Sequence, residues 1–241
     1  MNPYEPPQTI HESLPVATEV YPFVRMREGL IRAAALCVEG GRIQFAAGLV
    51  GVLAVLLALQ QANANADGNF EKLLLLISIV VTAVLWTWGA IKSYRGYTGM
   101  AEYVTNERLA RQYTWCMIQW WLQLFLVVMF VLTAGPYVPL FFSTAFLLIL
   151  IPAYLHSIAL QTKALRFWYA RFEMPSAALG YLAGGMAVAI CLGLELLLPY
   201  LGWRDNTALH VVLALLLAVT AWDYSQRYQT VHEALLEERD R

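Results

Sequence analysis

Apolar residues in this chain come in long unbroken runs, not in the short stripes of a water-soluble fold. Six runs stand out, at residues 43–59, 73–91, 114–134, 137–160, 177–198 and 207–222. A helix needs about 20 residues to cross a hydrocarbon layer of about 30 Å. In lipid the backbone must also satisfy its own hydrogen bonds, so each run predicts a membrane helix. The four middle runs come close to the required length or exceed it, and the first and last reach it by extending through Gln60 and past Trp222. Glu195 is the only formal charge within any of them. The expected fold is therefore an all-α membrane protein, a six-transmembrane-helix bundle. A leader (1–22) precedes the membrane domain (23–222), and a charged helical tail (223–241) follows it.

The polar residues between the runs fix an orientation. Fourteen of the sixteen Lys and Arg residues fall on one side: Arg25, Arg27, Arg32 and Arg42; Lys92, Arg95, Arg108 and Arg111; Lys163, Arg166 and Arg171; and Arg227, Arg239 and Arg241. Only Lys72 and Arg204 fall on the other. Cytoplasmic segments collect Lys and Arg, so both termini are expected inside. The outer connections are compact, and Gly135-Pro136 is a turn with almost no loop. The inner ones are longer. Residues 92–113 read as a short amphipathic helix. Residues 161–176 set Phe167, Trp168 and Tyr169 beside basic residues, a mixture that favours the headgroup layer. Residues 23–38 read as an interfacial segment or as an extension of the first span, and the tail carries Leu235 and Leu236 on a weak apolar stripe.

Composition agrees with this picture. Of 241 residues, 59% are hydrophobic and 14% charged, against about 25% charged in a soluble domain. A net charge of −1 exerts no general attraction on nucleic acid, so none is expected as a partner. Lipid is the expected partner, with a homo-oligomer or a membrane-complex subunit as further candidates. Cys37, Cys116 and Cys191 show no paired spacing and read as small apolar residues. The first 22 residues are polar and proline-rich, so no cleavable secretory signal is expected there.

Trp86-Thr87-Trp88, Tyr154-Leu155-His156 and Trp222-Asp223-Tyr224 begin at a constant interval of 68 residues, each near the inner end of an even-numbered span. Three copies of a helical hairpin would give this spacing; aromatic belts on spans of regular length would give it too. At the amino terminus, Met1-Asn2-Pro3-Tyr4-Glu5-Pro6-Pro7 resembles the Asn-Pro-Tyr-x-Pro-Pro starts of many uncharacterised bacterial polytopic inner-membrane proteins. The resemblance spans seven residues and implies a bacterial inner membrane and a disordered cytoplasmic leader, with no catalytic role.

Candidate chemistry is sparse. The chain holds no phosphate loop, GxGxxG, HExxH, Cys-x-x-Cys or GxSxG. His156 and His210 fall near opposite ends of their spans, roughly 15–20 Å apart in depth, too far to share a haem iron. No metal or cofactor is expected. Glu195 is an intramembrane carboxylate, suited to cation binding or proton exchange, although it lies near Pro199 and interfacial water. Gln119 and Gln123 share one face of the third span, where amides need a partner helix or a polar cavity. Trp115, Trp120 and Trp121 flank them. Small residues at Ala47 and Gly51, at Ser176, Gly180 and Gly184, and at Gly185, Ala189 and Gly193 mark faces for close helix packing or a homo-oligomer seam. Pro152 is expected to kink the fourth span.

Three functions remain open on these grounds. The first is non-enzymatic solute transport or binding, or assistance to a membrane complex, through Glu195, Gln119 and Gln123. The second is a membrane scaffold acting through its cytoplasmic loops and tail. The third is a lipid-modifying enzyme using an inner-face cluster of Trp86, Trp88, Tyr154, His156 and Asp223. A channel would need a filter or charged ring, and no recognisable one is present.

Overall fold

With no water to bond its peptide groups, an apolar run in hydrocarbon closes into helix, and here several polar flanks continue that helix without a break. The computed structural model describes residues 23–64, 69–104, 106–118, 140–174, 178–197 and 207–240. Its regular elements are all helical: α1 (Phe23–Ala64), α2 (Asn69–Tyr103), α3 (107–118), α4 (Leu140–Arg171), α5 (Ala178–Leu197) and α6 (Thr207–Asp240). Three stretches, Arg27–Leu57, Leu73–Tyr103 and Ala208–Asp240, are long and apolar enough to cross a membrane. Most of the 114–134 run and the leader lie outside the described residues.

The helices are longer than a bilayer requires. α1 has 42 residues and α6 has 34, or about 63 and 51 Å of helix. The expectation of a separate amphipathic helix over 92–113 is corrected. α2 instead runs on to Tyr103, and α3 starts afresh at residue 107. Nothing between Lys92 and Tyr103 breaks a helix, because Gly96 and Gly99 are held against α1. The new start has its own cap: Asn106 Oδ1 accepts from the backbone N–H groups of Arg108 and Leu109, at 3.0 and 3.1 Å. α1 likewise takes in residues 27–38 as helical extension, and α4 continues through Pro152 to Arg171. α4 ends in a reversed turn. Met174 N–H donates to Tyr169 O at 2.9 Å, and Glu173 sits in the left-handed region at φ 52°, a position usually given to Gly.

α1 is the central strut. It packs along α2 on one side and α6 on the other; α5 lies on α6, and α4 on α5. The seam residues follow alternating steps of four and three: Ala33, Cys37, Gly40, Gln44 and Ala47 on α1, and Gly89, Ser93, Gly96 and Met100 on α2. This is the spacing by which ridges of one helix enter the grooves of another at a shallow angle. Small residues let the α1 and α2 backbones touch. A Cβ at Gly89 would lie 2.8 Å from Gly40 O, and one at Gly96 would lie 2.8 Å from Ala33 O. On α6 the same steps give Ala221, Tyr224, Tyr228, Val231 and Leu235, all buried.

Burial divides the chain along its length. The continuous core gathers in the Lys- and Arg-rich half, around Tyr97, Met100, Leu109, Tyr113, Leu165, Trp168 and Tyr228. The other half exposes Leu53, Leu73, Val80, Val84, Ile190 and Val219, the outward apolar surface that hydrocarbon covers. One half is built for lipid, and the other closes over its own core. Gly89→Ala and Gly96→Ala are therefore expected to cost about 1–3 kcal/mol each by forcing α1 and α2 apart. Gly193, where an added Cβ meets nothing within 4 Å, is the control. Gly193→Ala should be neutral or gain up to about 1 kcal/mol, as measured by SDS titration in mixed micelles.

Candidate functional site

The core of the basic half is held by aromatic side chains that bring their own polar ends inside. Tyr113 OH accepts a hydrogen bond from Trp168 Nε1 at 2.9 Å and pairs with Tyr228 OH at 3.2 Å. One chain of bonds thus ties α3, α4 and α6. Burial pushes the Tyr113 phenol up, against the opposing effect of these bonds, so it stays protonated. Tyr97 packs against Tyr113, Tyr224 and Tyr228, and Tyr224 in turn against Tyr181 on α5. The Tyr97 and Tyr224 hydroxyls are buried beside each other, with the Cys37 thiol next to Tyr224.

Just beyond this collar lies a polar hollow of about 50 Å³, room for a few waters or one small solute. Five helices line it: Gln44 from α1, Trp86 from α2, Tyr154, Ser157 and Gln161 from α4, Tyr181 from α5, and Thr220 and Tyr224 from α6. One wall is internally satisfied. Tyr181 OH donates to Gln161 Oε1, and Gln161 Nε2 donates to Ser157 Oγ at 3.2 Å. The opposite wall is not, since Gln44 Nε2 is buried without a partner. An unmade hydrogen bond on a buried group costs about 1–3 kcal/mol, so such a group beside the hollow amounts to a demand for an acceptor. None of the lining residues carries a formal charge.

The residues singled out from sequence are scattered. Gln119 and Gln123 lie outside the described residues, as do Trp120, Trp121 and Ser176. Glu195 and Gly180 fall on α5, with side chains outside the described set. Trp86 and Tyr154 line the hollow, whereas Trp88 and His156 are exposed. Asp223 grips Arg227 through two hydrogen bonds of 2.7 and 2.9 Å, leaving buried Arg227 Nη1 unpartnered. The burial of the 68-residue triplets does not repeat: Tyr224 is buried where Trp88 and His156 are exposed, and the exposed Trp222 lies tilted against Phe45. His210 is exposed in the first turn of α6. Among the described residues no three His, Cys, Asp or Glu side chains gather as metal ligands.

Of the small residues, Ala47 and Ala189 are buried, and Gly51 faces Thr82 at ordinary contact distance. Gly184 meets Thr220 on α6, and Gly185 meets Ile158 on α4. The tight α1–α2 seam at Gly40, Gly89 and Gly96 was missed, as were Gln44, Ser157, Gln161 and Tyr181. The signal for the seam is present as steps of four and three, which a scan at four-residue intervals passes over.

Removing the Tyr113 hydroxyl strands a buried indole N–H, so Tyr113→Phe should cost about 1–3 kcal/mol. Tyr228→Phe, which leaves the Trp168–Tyr113 bond in place, should cost less by the same SDS titration; an equal or larger loss would show that the bond chain does not matter. Compared with known protein families, with curated proteins and with solved structures, the chain matches none.

Proposed function

We propose that the chain is a six-span, multi-pass protein of a bacterial inner membrane, with both termini in the cytoplasm, that binds and passes a small uncharged solute without covalent chemistry. Support for the topology comes from the six apolar runs and from the fourteen of sixteen Lys and Arg residues on one side. Support for solute binding rests on one observation: a buried donor without a partner, Gln44 Nε2, lines the hollow. A neutral acceptor such as a carbonyl or hydroxyl compound satisfies it. An ion is the poorer fit, because the lining offers no countercharge.

The scaffold reading has less support. It needs a tail free to recruit a partner, whereas Val231 and Leu235 on α6 are buried against the chain itself. The lipid-modifying reading needs His156 and Asp223 in one cleft, but His156 is exposed and Asp223 is engaged by Arg227.

Shrink–swell measurements on proteoliposomes test the proposal, with urea, glycerol and water as the permeants. At least one should cross faster than in protein-free vesicles, and Gln44→Leu, which removes a donor at nearly constant bulk, should slow it severalfold. Rates equal to protein-free vesicles for all three permeants would overturn the solute reading. Reporter phosphatase joined at either end should be inactive, and at residue 65 or 202 active; the reverse would overturn the topology.

A further inference from the structure

A second cavity lies at the far end of the basic half, away from the polar hollow. It measures about 210 Å³ and is lined by residues from both ends of the chain: Arg27 and Leu30 of α1, Tyr103 and Asn106 at the α2–α3 corner, Phe167, Trp168 and Arg171 of α4, and Leu235 and Glu238 of α6. We infer that this cleft binds a small soluble phosphate monoester bearing a planar ring, and that Glu238 occupies the phosphate position when the ligand is away.

The charge arrangement carries the first part. Arg171 Nη2 lies 3.2 Å from Glu238 Oε1, and Arg27 Nη2 lies 3.7 Å from the same oxygen. Two guanidiniums thus converge on one carboxylate oxygen, and the lining keeps a net positive charge. Guanidinium forks are suited to bidentate contact with phosphate, whose several oxygens can take both cations at once. Asn106 adds a donor. Its Oδ1 is committed to capping α3, which leaves the amide NH₂ at the cleft wall. Tyr103, Phe167 and Trp168 form the apolar side, where a ring can pack.

Glu238 is a displaceable occupant and not a fixed partner. It also borders a neighbouring hollow whose lining includes Glu173, Glu233 and Glu237 besides Arg171. Its side chain and that of Arg171 remain 35% and 43% exposed, and such pairs are weak in water. Depth separates a soluble ligand from a lipid headgroup. Taking the span ends from the proposed topology, Arg27, Tyr103, Arg171 and Glu238 lie roughly 16–24 Å beyond them. The headgroup layer is only about 5–8 Å thick. The inference rests on the proposed topology for this step alone, and not on solute passage.

The test is isothermal titration of the full-length protein in nanodiscs with phenyl phosphate. Binding at one site per chain is expected, with inorganic phosphate at least tenfold weaker because it lacks the ring. Arg27→Gln/Arg171→Gln should weaken phenyl phosphate binding tenfold or more, and Arg171→Lys should weaken it less. Glu238→Gln should tighten it severalfold, which simple loss of structure would not do. Nanodiscs of phosphatidylcholine and of phosphatidylglycerol should give the same affinity; competition by phosphatidylglycerol would overturn the soluble-ligand assignment in favour of a lipid headgroup. No saturable binding, or binding unchanged in the double variant, would overturn the site itself. Urea and glycerol flux is a separate readout, so its failure and the failure of this site are distinguishable.

Discussion

Everything in the basic half depends on how closely α1 and α2 approach. Where Gly40, Gly89 and Gly96 meet the opposite backbone there is no room for even one methyl group. That approach sets the lateral position of Gln44 and Tyr97, and through Tyr97 the ring cluster reaching α3 and α6. In lipid no hydrophobic drive brings helices together, so close van der Waals contact between small residues must do it. In water the same contact is reinforced by burial. A seam running from one solvent into the other is served by glycine and alanine in both.

The two solvents also explain why the polar groups lie where they do. Toward the lipid end, side chains are aliphatic and point outward, since hydrocarbon accepts them without penalty. Past Lys92 and Arg42 the outward surface turns charged, with Lys92 bonded to Glu39 at 2.7 Å and Arg42 to Gln229 at 2.8 Å. Such exposed pairs add little stability; the hydroxyl-bearing rings inside contribute far more. Tyr and Trp fill large volumes, and their polar ends need partners when buried. Trp168 and Tyr113 find theirs in each other.

Much of the architecture was legible in the sequence because it follows from hydropathy, a property each residue carries alone. Helical elements, their apolar character and the concentration of charge on one side needed no partner information. The reading failed at 92–113, where a run of polar residues was taken to end the helix at Lys92. Polarity marks a change of solvent, not a change of backbone, and α2 crosses that boundary unbroken. The inner core was invisible for a related reason. Tyr97, Tyr113 and Tyr228 look like interfacial aromatics until the extended helices are seen to close around them. Single-residue chemistry misled in the same way: His156 attracts notice as an ionisable group yet is exposed, whereas the amides and hydroxyls of Gln44, Ser157, Gln161 and Tyr181 owe their significance to their neighbours.

The position of the polar hollow follows from this construction. A bundle packed tightly at its basic end and faced with aliphatic groups at the other has one level at which both rules fail: the level where α1, α2 and α6 pass from their exposed apolar stretches to the aromatic collar, with α4 and α5 beside them. Side chains there must suit neither solvent fully, and Gln44, Ser157, Gln161, Tyr181 and Tyr224 are of that kind. Leucine at these positions would have made a drier and more stable junction, because hydrocarbon packing avoids the penalty of unpaired donors. Polar side chains kept at such a level need a compensating use, and the hydrogen-bonding guest we propose for the hollow would supply one.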